Sequence, residues 1–270
     1  MARTRGRTTS LLALSAALAL VAGCENGSSS AAGGGGGDKH EHVGKPVVVV
    51  TTTWEGALAK AAGAEDVQVI VPQSVQHAPD YDPKPSDLAA VAGADFVLYA
   101  PFEPYAGEIK DAAGSKAELV EVNLDNDADK VDAEVAKLGT LFGTEDAAAK
   151  WKTTFDSEYA KLSKDLKAQW PGGKSPVVVS QVFTIWAAKL VGARLVGTYG
   201  PEAVTPAQLA KLGKEKPALV LDNAHMSTGT VLPDSGAKQV EIVNYPGDEL
   251  DLLPVYRNAA TALKKAMPAS

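Results

Sequence analysis

Residues 72–88 read PQSVQHAPDYDPKPSDL, a proline-rich polar loop that lies between two regular elements of the chain. The apolar run Val67–Val71 precedes the loop and has the composition of a buried strand. Ser86 is a favourable N-cap residue, and it predicts a short helix over Asp87–Ala92. The stretch therefore indicates a strand, a stiff connection and a helix, which together form the basic unit of an α/β fold.

The side chains of this loop indicate where a ligand would bind. His77, Asp80 and Asp82 follow the predicted strand within a few residues. In open α/β sheets, ligands bind in crevices at the carboxyl ends of the strands. Imidazole and carboxylate groups at such a position are the ligand types of transition-metal sites. The loop is therefore a candidate ligand-binding segment.

The same alternation of strands and helices extends in both directions from the loop. Continuous β-branched runs are typical of strands buried on both faces of a parallel sheet. The predicted strands are Val47–Thr52, Val67–Val71, Phe96–Tyr99 and Leu119–Val122 in the first half, and Val177–Gln181, Leu195–Gly197, Ala218–Leu221 and Val240–Val243 in the second. We predict an α/β fold of two lobes, each a mostly parallel sheet flanked by helices.

A helical segment separates the two predicted sheets. Asp127–Phe142 has apolar residues at helical spacing, and a longer helix is predicted from Thr144 to about Gln169. These helices form a long helical connector, residues 127–170. It joins an N-terminal lobe (46–126) to a C-terminal lobe (171–270). We expect a ligand cleft between the two lobes.

The N-terminus has the pattern of a bacterial lipoprotein signal. Three arginines precede an apolar stretch, Leu11–Ala22, which is shorter than the roughly 20 residues that span a bilayer. This stretch runs into Val21–Cys24, which resembles a lipobox, so we expect removal of the signal peptide 1–23 and lipidation of Cys24. Residues 24–45 are rich in Gly and Ser and predict a flexible tether. We therefore expect the lobes on the extracytoplasmic face of the cell membrane, anchored by the lipid.

Charge and composition exclude several classes of function. The chain carries 26 Lys and Arg against 33 Asp and Glu, and removing residues 1–23, with three Arg and no acidic residue, would leave a formal charge of −10. Such an acidic chain lacks the basic surface of a nucleic-acid-binding protein. Gly172–Ser175 resembles part of a phosphate loop but precedes a strand, and no G-x-S-x-G nucleophile motif occurs. We expect no enzymatic activity.

Several segments resemble the cluster A-I solute-binding proteins of ABC transporters, the zinc and manganese type. Segment 78–88 (APDYDPKPSDL) is similar to a characteristic loop of that family, and 51–54 (TTTW), 99–105 (YAPFEPY) and 198–203 (TYGPEA) are similar to other family segments. The resemblance covers residues 47–267. It implies a monomeric lipoprotein that passes its cargo to an ABC permease, with Zn²⁺ or Mn²⁺ as the transported ligand and no organic cofactor.

The metal ligands of that family do not carry over residue by residue. Pro79 stands where the family has a histidine directly before Asp-Tyr. Gln181 stands at the place of a second-lobe histidine, and Asn244 at the place of a late carboxylate. The resemblance therefore implies the fold and the class of protein, while the metal ligands of this chain need a separate assignment.

A different ligand set is available from both lobes. His77 and Asp80 follow a strand of the first lobe, and Asp222 and His225 follow a strand of the second. Two imidazoles and two carboxylates suit Zn²⁺ and are compatible with Mn²⁺. Glu103 is a fifth candidate, either as a ligand or as a hydrogen-bond partner of one.

Several alternatives stay open at this stage. The cleft histidines could line a site for a non-metal small ligand, or the protein could be a surface interaction lipoprotein with a degenerate metal site. His40 and His42 are either a metal-collecting tract or the solvated edge of the tether. Four aromatic residues either cover an apolar ligand or pack the lobe interface: Trp54, Phe102, Tyr105 and Trp186.

Overall fold

The computed structural model describes residues 45–75, 78–227 and 229–267, and these residues contain two four-stranded parallel sheets. The strands of the N-terminal lobe are β1 (Val47–Val50), β2 (Asp66–Val69), β3 (Phe96–Tyr99) and β4 (Glu118–Glu121). Those of the C-terminal lobe are β5 (Val177–Gln181), β6 (Arg194–Tyr199), β7 (Leu219–Asn223) and β8 (Lys238–Ile242). The strand orders, β2-β1-β3-β4 and β6-β5-β7-β8, follow the same scheme.

Helices flank both sheets, and two of them connect the lobes. The helices are α1 (Thr53–Ala61), α2 (Pro85–Gly93), α3 (Ala106–Ala113), α4 (Ala128–Phe142), α5 (Glu145–Lys167), α6 (Ile185–Leu190), α7 (Pro206–Lys214) and α8 (Leu253–Ala266). Short 3-10 turns occupy Ala78–Asp80, Pro171–Gly173 and Val182–Thr184. The predicted fold class, two parallel α/β lobes joined by a long helix, is confirmed.

Side-chain alternation along the central strands divides the apolar interior into a shared core and two outer cores. Val48 and Val50 point to one face of the first sheet and Val49 to the other, as strand geometry requires. Val48 and Val50 belong to a core that also contains Leu219 and Leu221 of the second lobe. Val49 belongs to a separate cluster confined to the first lobe. The two lobes are therefore joined by continuous apolar packing.

Helix α5 lies within this shared core and carries its aromatic centre. Phe155 of α5 and Tyr256 of α8 are fully buried and meet edge to face, with ring centroids 5.0 Å apart. Trp186 of α6 packs on Tyr256 at 5.1 Å, and Trp151 stacks on Phe155 at 4.8 Å. The predicted apolar stripe of this helix thus faces the core and binds the connector to the second lobe.

Two helices of the N-terminal lobe differ from the prediction. Helix α2 begins at Pro85, so Ser86 lies inside the helix and Lys84 holds the N-cap position. The Asp87 carboxylate accepts the Lys84 N–H at 2.8 Å, and proline at the first helical position needs no hydrogen-bond partner for its nitrogen. Helix α3 was not predicted, because its alanine- and glycine-rich sequence has only one large apolar residue, Ile109.

The predicted anchor lies outside the described part of the chain. This applies to the signal peptide, to Cys24 and its tether, and to His40 and His42. None of the helices in residues 45–75, 78–227 and 229–267 combines the length and apolar character that crossing a membrane needs. The boundaries proposed for the tether and the lobes stay predictions.

The two connector helices approach closely at a glycine. Gly143 ends α4 in the left-handed conformation, with φ 68° and ψ 33°. One turn earlier, a Cβ atom added to Gly139 would lie 2.6 Å from the Cβ of Ala148 on α5. Such a distance requires the helices to separate. Gly139 therefore sets how closely α4 and α5 pack.

We expect Gly139→Ala to lower the free energy of unfolding by about 1–3 kcal/mol, because the added methyl group overpacks the helix pair. Urea denaturation monitored by circular dichroism measures the change. Gly107→Ala is the matched control on α3, since its added Cβ meets no atom within 4 Å apart from the chain neighbours and the backbone of its own helix. Equal stability of the Gly139 variant and the control variant would contradict this account of the packing.

Candidate functional site

Two neighbouring cavities lie between the lobes, near the carboxyl ends of the parallel strands. The first has a volume of about 370 Å³ and is called the histidine cavity; its lining includes Thr52, Thr53, Val75, Ala78, His225 and Tyr245. The second has a volume of about 460 Å³ and is called the aromatic cavity; its lining includes Trp54, Phe102, Phe183, Trp186, Asn244 and Tyr245. Tyr245 lies between them and contributes to both.

His225 is the candidate ligand that faces the histidine cavity. Its backbone N–H donates to the Asn223 Oδ1 at 3.0 Å, and its ring meets the Tyr245 ring edge to face at 4.8 Å. Burial of part of the imidazole lowers the pKa of His225 below its ordinary value. The ring is therefore neutral at physiological pH, which is the form that binds a metal ion.

His77 lies outside the described residues. The described residues on either side of the gap at 76–77 are Val75 and Ala78, and both line the histidine cavity together with His225. Asp80 is exposed and ends the 3-10 turn that begins at Ala78. The pairing of His77 with His225 thus stays a prediction.

Asp222 is held on the outer side of the second sheet. Its carboxylate accepts hydrogen bonds from the Tyr199 hydroxyl at 2.9 Å, the Ser227 hydroxyl at 2.6 Å and the Gln239 amide at 3.0 Å. It lines neither cavity, whereas its neighbour on β7, Asn223, lines the aromatic cavity. Alternation along the strand explains the difference. To bind a metal in the cleft, Asp222 would have to give up all three hydrogen bonds.

Glu103 forms part of a buried carboxyl pair rather than an open ligand set. Its Oε2 accepts the Ala100 N–H at 3.0 Å and its Oε1 accepts the Tyr105 hydroxyl at 3.2 Å. Burial, together with the nearby charge of Glu55, raises the pKa of Glu103 to about 8. Burial also raises the pKa of Glu55. The pair therefore retains a proton near neutral pH.

Glu55 was not among the site residues predicted from the sequence. It is fully buried and completes a capping box for α1, in which it accepts the Thr52 N–H at 3.0 Å and the Thr52 hydroxyl. The Thr-x-x-Glu spacing of a capping box is readable in the sequence. Its proximity to Glu103 depends on how α1 and the loop after β3 fold together. The sequence motif therefore predicts the helix cap, but it does not predict that Glu55 lies near Glu103.

The candidate ligands in the described residues do not form a conventional metal site. Within residues 45–75, 78–227 and 229–267, no group of three or more His, Cys, Asp or Glu residues is arranged to hold a metal ion. Asp80, Glu103, Asp222 and His225 are therefore not brought together as one set by the described residues alone. The assignment of the full set depends on His77 and remains a hypothesis.

Gln181 and Asn244 occupy the positions that the family resemblance gives to metal ligands, and both present amide nitrogens. The Gln181 Oε1 accepts the Phe183 N–H at 2.7 Å, and the Asn244 Oδ1 accepts the Trp186 indole N–H at 2.8 Å. The amide nitrogens of both residues are buried and have no hydrogen-bond partner among the described residues. An amide N–H group donates and does not supply an electron pair to a cation. These two positions therefore do not act as metal ligands in this conformation.

A chain of hydrogen bonds crosses the lobe interface and includes three residues that line the aromatic cavity, Trp54, Trp186 and Asn244. The Trp54 indole N–H donates to the Asn126 Oδ1 at 3.0 Å, and the Asn126 amide nitrogen donates to the Asn244 backbone carbonyl at 3.0 Å. The Asn244 side chain then accepts from Trp186. This chain joins α1 of the first lobe to α6 of the second. Trp54 and Trp186 pack in the core shared by the two lobes, which was one of the two interpretations of these aromatic residues. Tyr105 packs in the core cluster of the first lobe alone, and Phe102 is exposed.

Comparisons with known proteins were made by sequence and by structure. No protein-family model matches the chain, and no curated protein matches it by sequence. Solved structures do match. The laminin-binding protein Lbp of Streptococcus pyogenes shares 17% identity over 83% of this chain and 99% of its own, with a TM-score of 0.60. This chain has the two-lobed fold of metal-binding solute-binding proteins.

Two further structures support that conclusion about the fold. The Zn(II)-bound ZnuA-like domain of AdcA from Streptococcus pneumoniae is 16% identical over 83% of this chain and 99% of its own, with a TM-score of 0.55. The solute-binding protein FpvC from Pseudomonas aeruginosa, in complex with Ni²⁺, is 15% identical over 83% and 97%, with a TM-score of 0.62. Identities this low establish a shared fold and leave the ligand of this chain to its own residues.

The buried carboxyl pair makes stability depend on pH. Because the pKa of Glu103 is raised above that of an unfolded glutamate, the folded state binds the proton more tightly. We therefore expect the free energy of unfolding to fall as pH rises from 5 to 8, by at most about 1.4 kcal/mol per pH unit for one proton. Glu103→Gln should flatten this slope. Urea denaturation of EDTA-treated protein between pH 5 and pH 9 measures it.

Glu118→Gln is the matched control, because it removes an exposed carboxylate from the same lobe. Its stability should follow the wild-type pH dependence. If Glu103→Gln keeps the full wild-type slope, the proton is not held by Glu103.

Proposed function

We propose that this chain is the extracytoplasmic substrate-binding lipoprotein of an ABC importer, which captures its cargo between the lobes and delivers it to a membrane permease. The observation that carries the proposal is the pair of cavities between two parallel sheets, at the strand ends where α/β folds bind ligands. Their volumes lie in the range of small-molecule sites. Capture and release require no bond to be made or broken, so the protein acts as a binder and not as an enzyme.

The first candidate cargo is a divalent transition metal, Zn²⁺ before Mn²⁺. Two observations support it: His225 lines the histidine cavity as a neutral imidazole, and both residues that flank the gap at 76–77 line the same cavity. The proposed site is centred on His77 and His225, one from each lobe, with Asp80 beside it. Asp222 and Glu103 join only by exchanging their present hydrogen bonds for the metal.

The double variant His77→Ala/His225→Ala tests this site. We expect its Zn²⁺ affinity, measured by calorimetry at pH 7, to fall by at least about 100-fold, since two ligands are lost. His40→Ala/His42→Ala removes the same number of imidazoles from the tether and decides between the two interpretations of that tract, since unchanged Zn²⁺ affinity would make it a solvated edge. Elemental analysis of the wild-type protein as purified identifies the metal. Unchanged Zn²⁺ affinity in the first double variant would show that the site has been misplaced.

Lipidation of Cys24 accounts for the proposed membrane attachment. It is the only cysteine in the chain. We expect Cys24→Ser to abolish incorporation of an alkyne-labelled fatty acid into the protein expressed in a bacterial host, while Ser28→Ala incorporates it normally. Acyl label on the Cys24→Ser protein would place the lipid elsewhere.

A second candidate function is that of a surface interaction lipoprotein with a degenerate metal site. It is favoured by the amide nitrogens of Gln181 and Asn244, which replace electron-pair donors, and by the structural likeness to a protein described as laminin-binding. Wild-type protein that binds neither Zn²⁺ nor Mn²⁺ in calorimetry would remove the metal proposal and leave this candidate.

A further inference from the structure

A hydrogen bond from the Trp186 indole fixes the orientation of the Asn244 side chain. An indole N–H only donates hydrogen bonds, so the atom of Asn244 that faces Trp186 at 2.8 Å must be the amide oxygen. The amide nitrogen is therefore on the other side. It is buried, the residue is only 1% exposed, and it has no partner among the described residues.

This unpaired donor belongs to a residue that lines the aromatic cavity. A buried donor without a partner is unfavourable, because it has lost its hydrogen bond to water. Asn126, the other amide in the same chain of hydrogen bonds, uses both its oxygen and its nitrogen. Within this chain of hydrogen bonds only Asn244 has a missing partner, and its nitrogen is closed off from water in this conformation. An acceptor atom in the cavity would pair with it after a small movement of the lining.

The walls of the cavity are suited to a flat apolar group. Phe102 from the first lobe is 70% exposed and Phe183 from the second is 48% exposed, and both line the cavity. Phenyl rings exposed to this extent leave much apolar area in contact with water, which a bound ligand would cover. Trp54 and Trp186 line the same cavity. Aromatic side chains on several sides favour stacking or edge contacts with a ring.

The charges at the cavity compensate one another. Lys130 forms an ion pair with Asp125 at 2.5 Å, and Lys189 forms one with Asp127. All four residues line the cavity. A ligand with net charge would have to compete with these pairs. The lining therefore favours a molecule that is uncharged overall.

We propose that the aromatic cavity binds a small uncharged organic molecule, whose planar apolar part lies between Phe102 and Phe183 and whose carbonyl oxygen accepts a hydrogen bond from Asn244. The cavity volume of about 460 Å³ accommodates a ligand of one or two rings. Its lining differs from that of the histidine cavity except for Tyr245, which both share. It requires neither a metal ion nor the lipid anchor, so it goes beyond the metal cargo proposed above.

Matched probes test the predicted acceptor. Benzamide and cinnamamide carry a ring and a carbonyl oxygen, while toluene and trans-β-methylstyrene have a methyl group in place of the carboxamide. Binding is followed by saturation-transfer NMR titration in EDTA, which removes any contribution of a metal. We expect both amides to bind to the wild-type protein with dissociation constants in the millimolar range or tighter, and to compete with each other.

Asn244→Asp isolates the donor, because the carboxylate still accepts from Trp186 but no longer offers an amide N–H. We expect amide affinity to fall at least tenfold in this variant, and hydrocarbon affinity to change less than threefold. Gln181→Glu is the matched control: it also converts a buried, unpartnered amide nitrogen into an oxygen, and Gln181 lines neither cavity. It should leave amide binding unchanged.

The double variant Phe102→Ala/Phe183→Ala tests the walls independently of the buried amide, and it keeps the proposal testable if Asn244→Asp does not fold. We expect it to weaken both amides and hydrocarbons, while Leu195→Ala, an exposed apolar residue on β6, has no effect. The proposal fails if the amides do not bind to the wild type. It also fails if the phenylalanine variant binds them as well as the wild type, or if a folded Asn244→Asp loses amides and hydrocarbons equally. Zn²⁺ calorimetry on the same variants reports on the metal site separately.

Discussion

One apolar core shared by both lobes is the constraint on which the rest of the structure depends. The inner faces of the two sheets pack with α5 and with the aromatic cluster around Phe155 and Tyr256, so that neither sheet buries its apolar face alone. The hydrogen-bond chain from Trp54 through Asn126 and Asn244 adds polar contacts across the same interface. A large rotation of one lobe against the other would expose this core and break that chain. Such a rotation is therefore costly, and movements of loops and rim side chains are the ones that leave the core intact.

A preformed cleft makes the identity of its polar atoms decisive. The histidine cavity offers a neutral imidazole, which donates an electron pair to a cation. The aromatic cavity is lined by Asn244, whose amide N–H is buried and has no partner among the described residues. These two groups differ in hydrogen-bonding character and belong to neighbouring cavities that share Tyr245. They are the basis of the two ligands proposed above, and the fold alone selects neither.

The sequence was sufficient for the architecture because the decisive signals are local. Runs of β-branched residues such as Val47–Val50 mark the buried strands, and the apolar stripe of α5 marks the connector. The site was harder to predict from the sequence, because it depends on which side chains face the cleft and on how they are oriented. Asp222 and Asn223 are neighbours in sequence, and only the register of β7 decides which of them reaches the cleft. The free nitrogen of Asn244 follows from a contact with Trp186, 58 residues away in the chain. The Glu55 and Glu103 pair likewise arises only when separate segments meet.

The two sheets have equivalent strand orders, and equivalent elements of the two lobes therefore meet at the cleft. Trp54 is the second residue of α1, which follows β1. Trp186 is the second residue of α6, which lies between β5 and β6. Each lobe thus contributes the same element to the interface, as the subunits of a two-fold symmetric dimer do. Because α4 and α5 link the two lobes covalently, the effective concentration of one lobe at the other is high. The two lobes therefore do not lose the entropy that two separate chains would lose on association. The two lobes are thus held together like the subunits of a dimer, but by one continuous chain. Unlike the subunits of a homodimer, they can carry different residues at the shared surface.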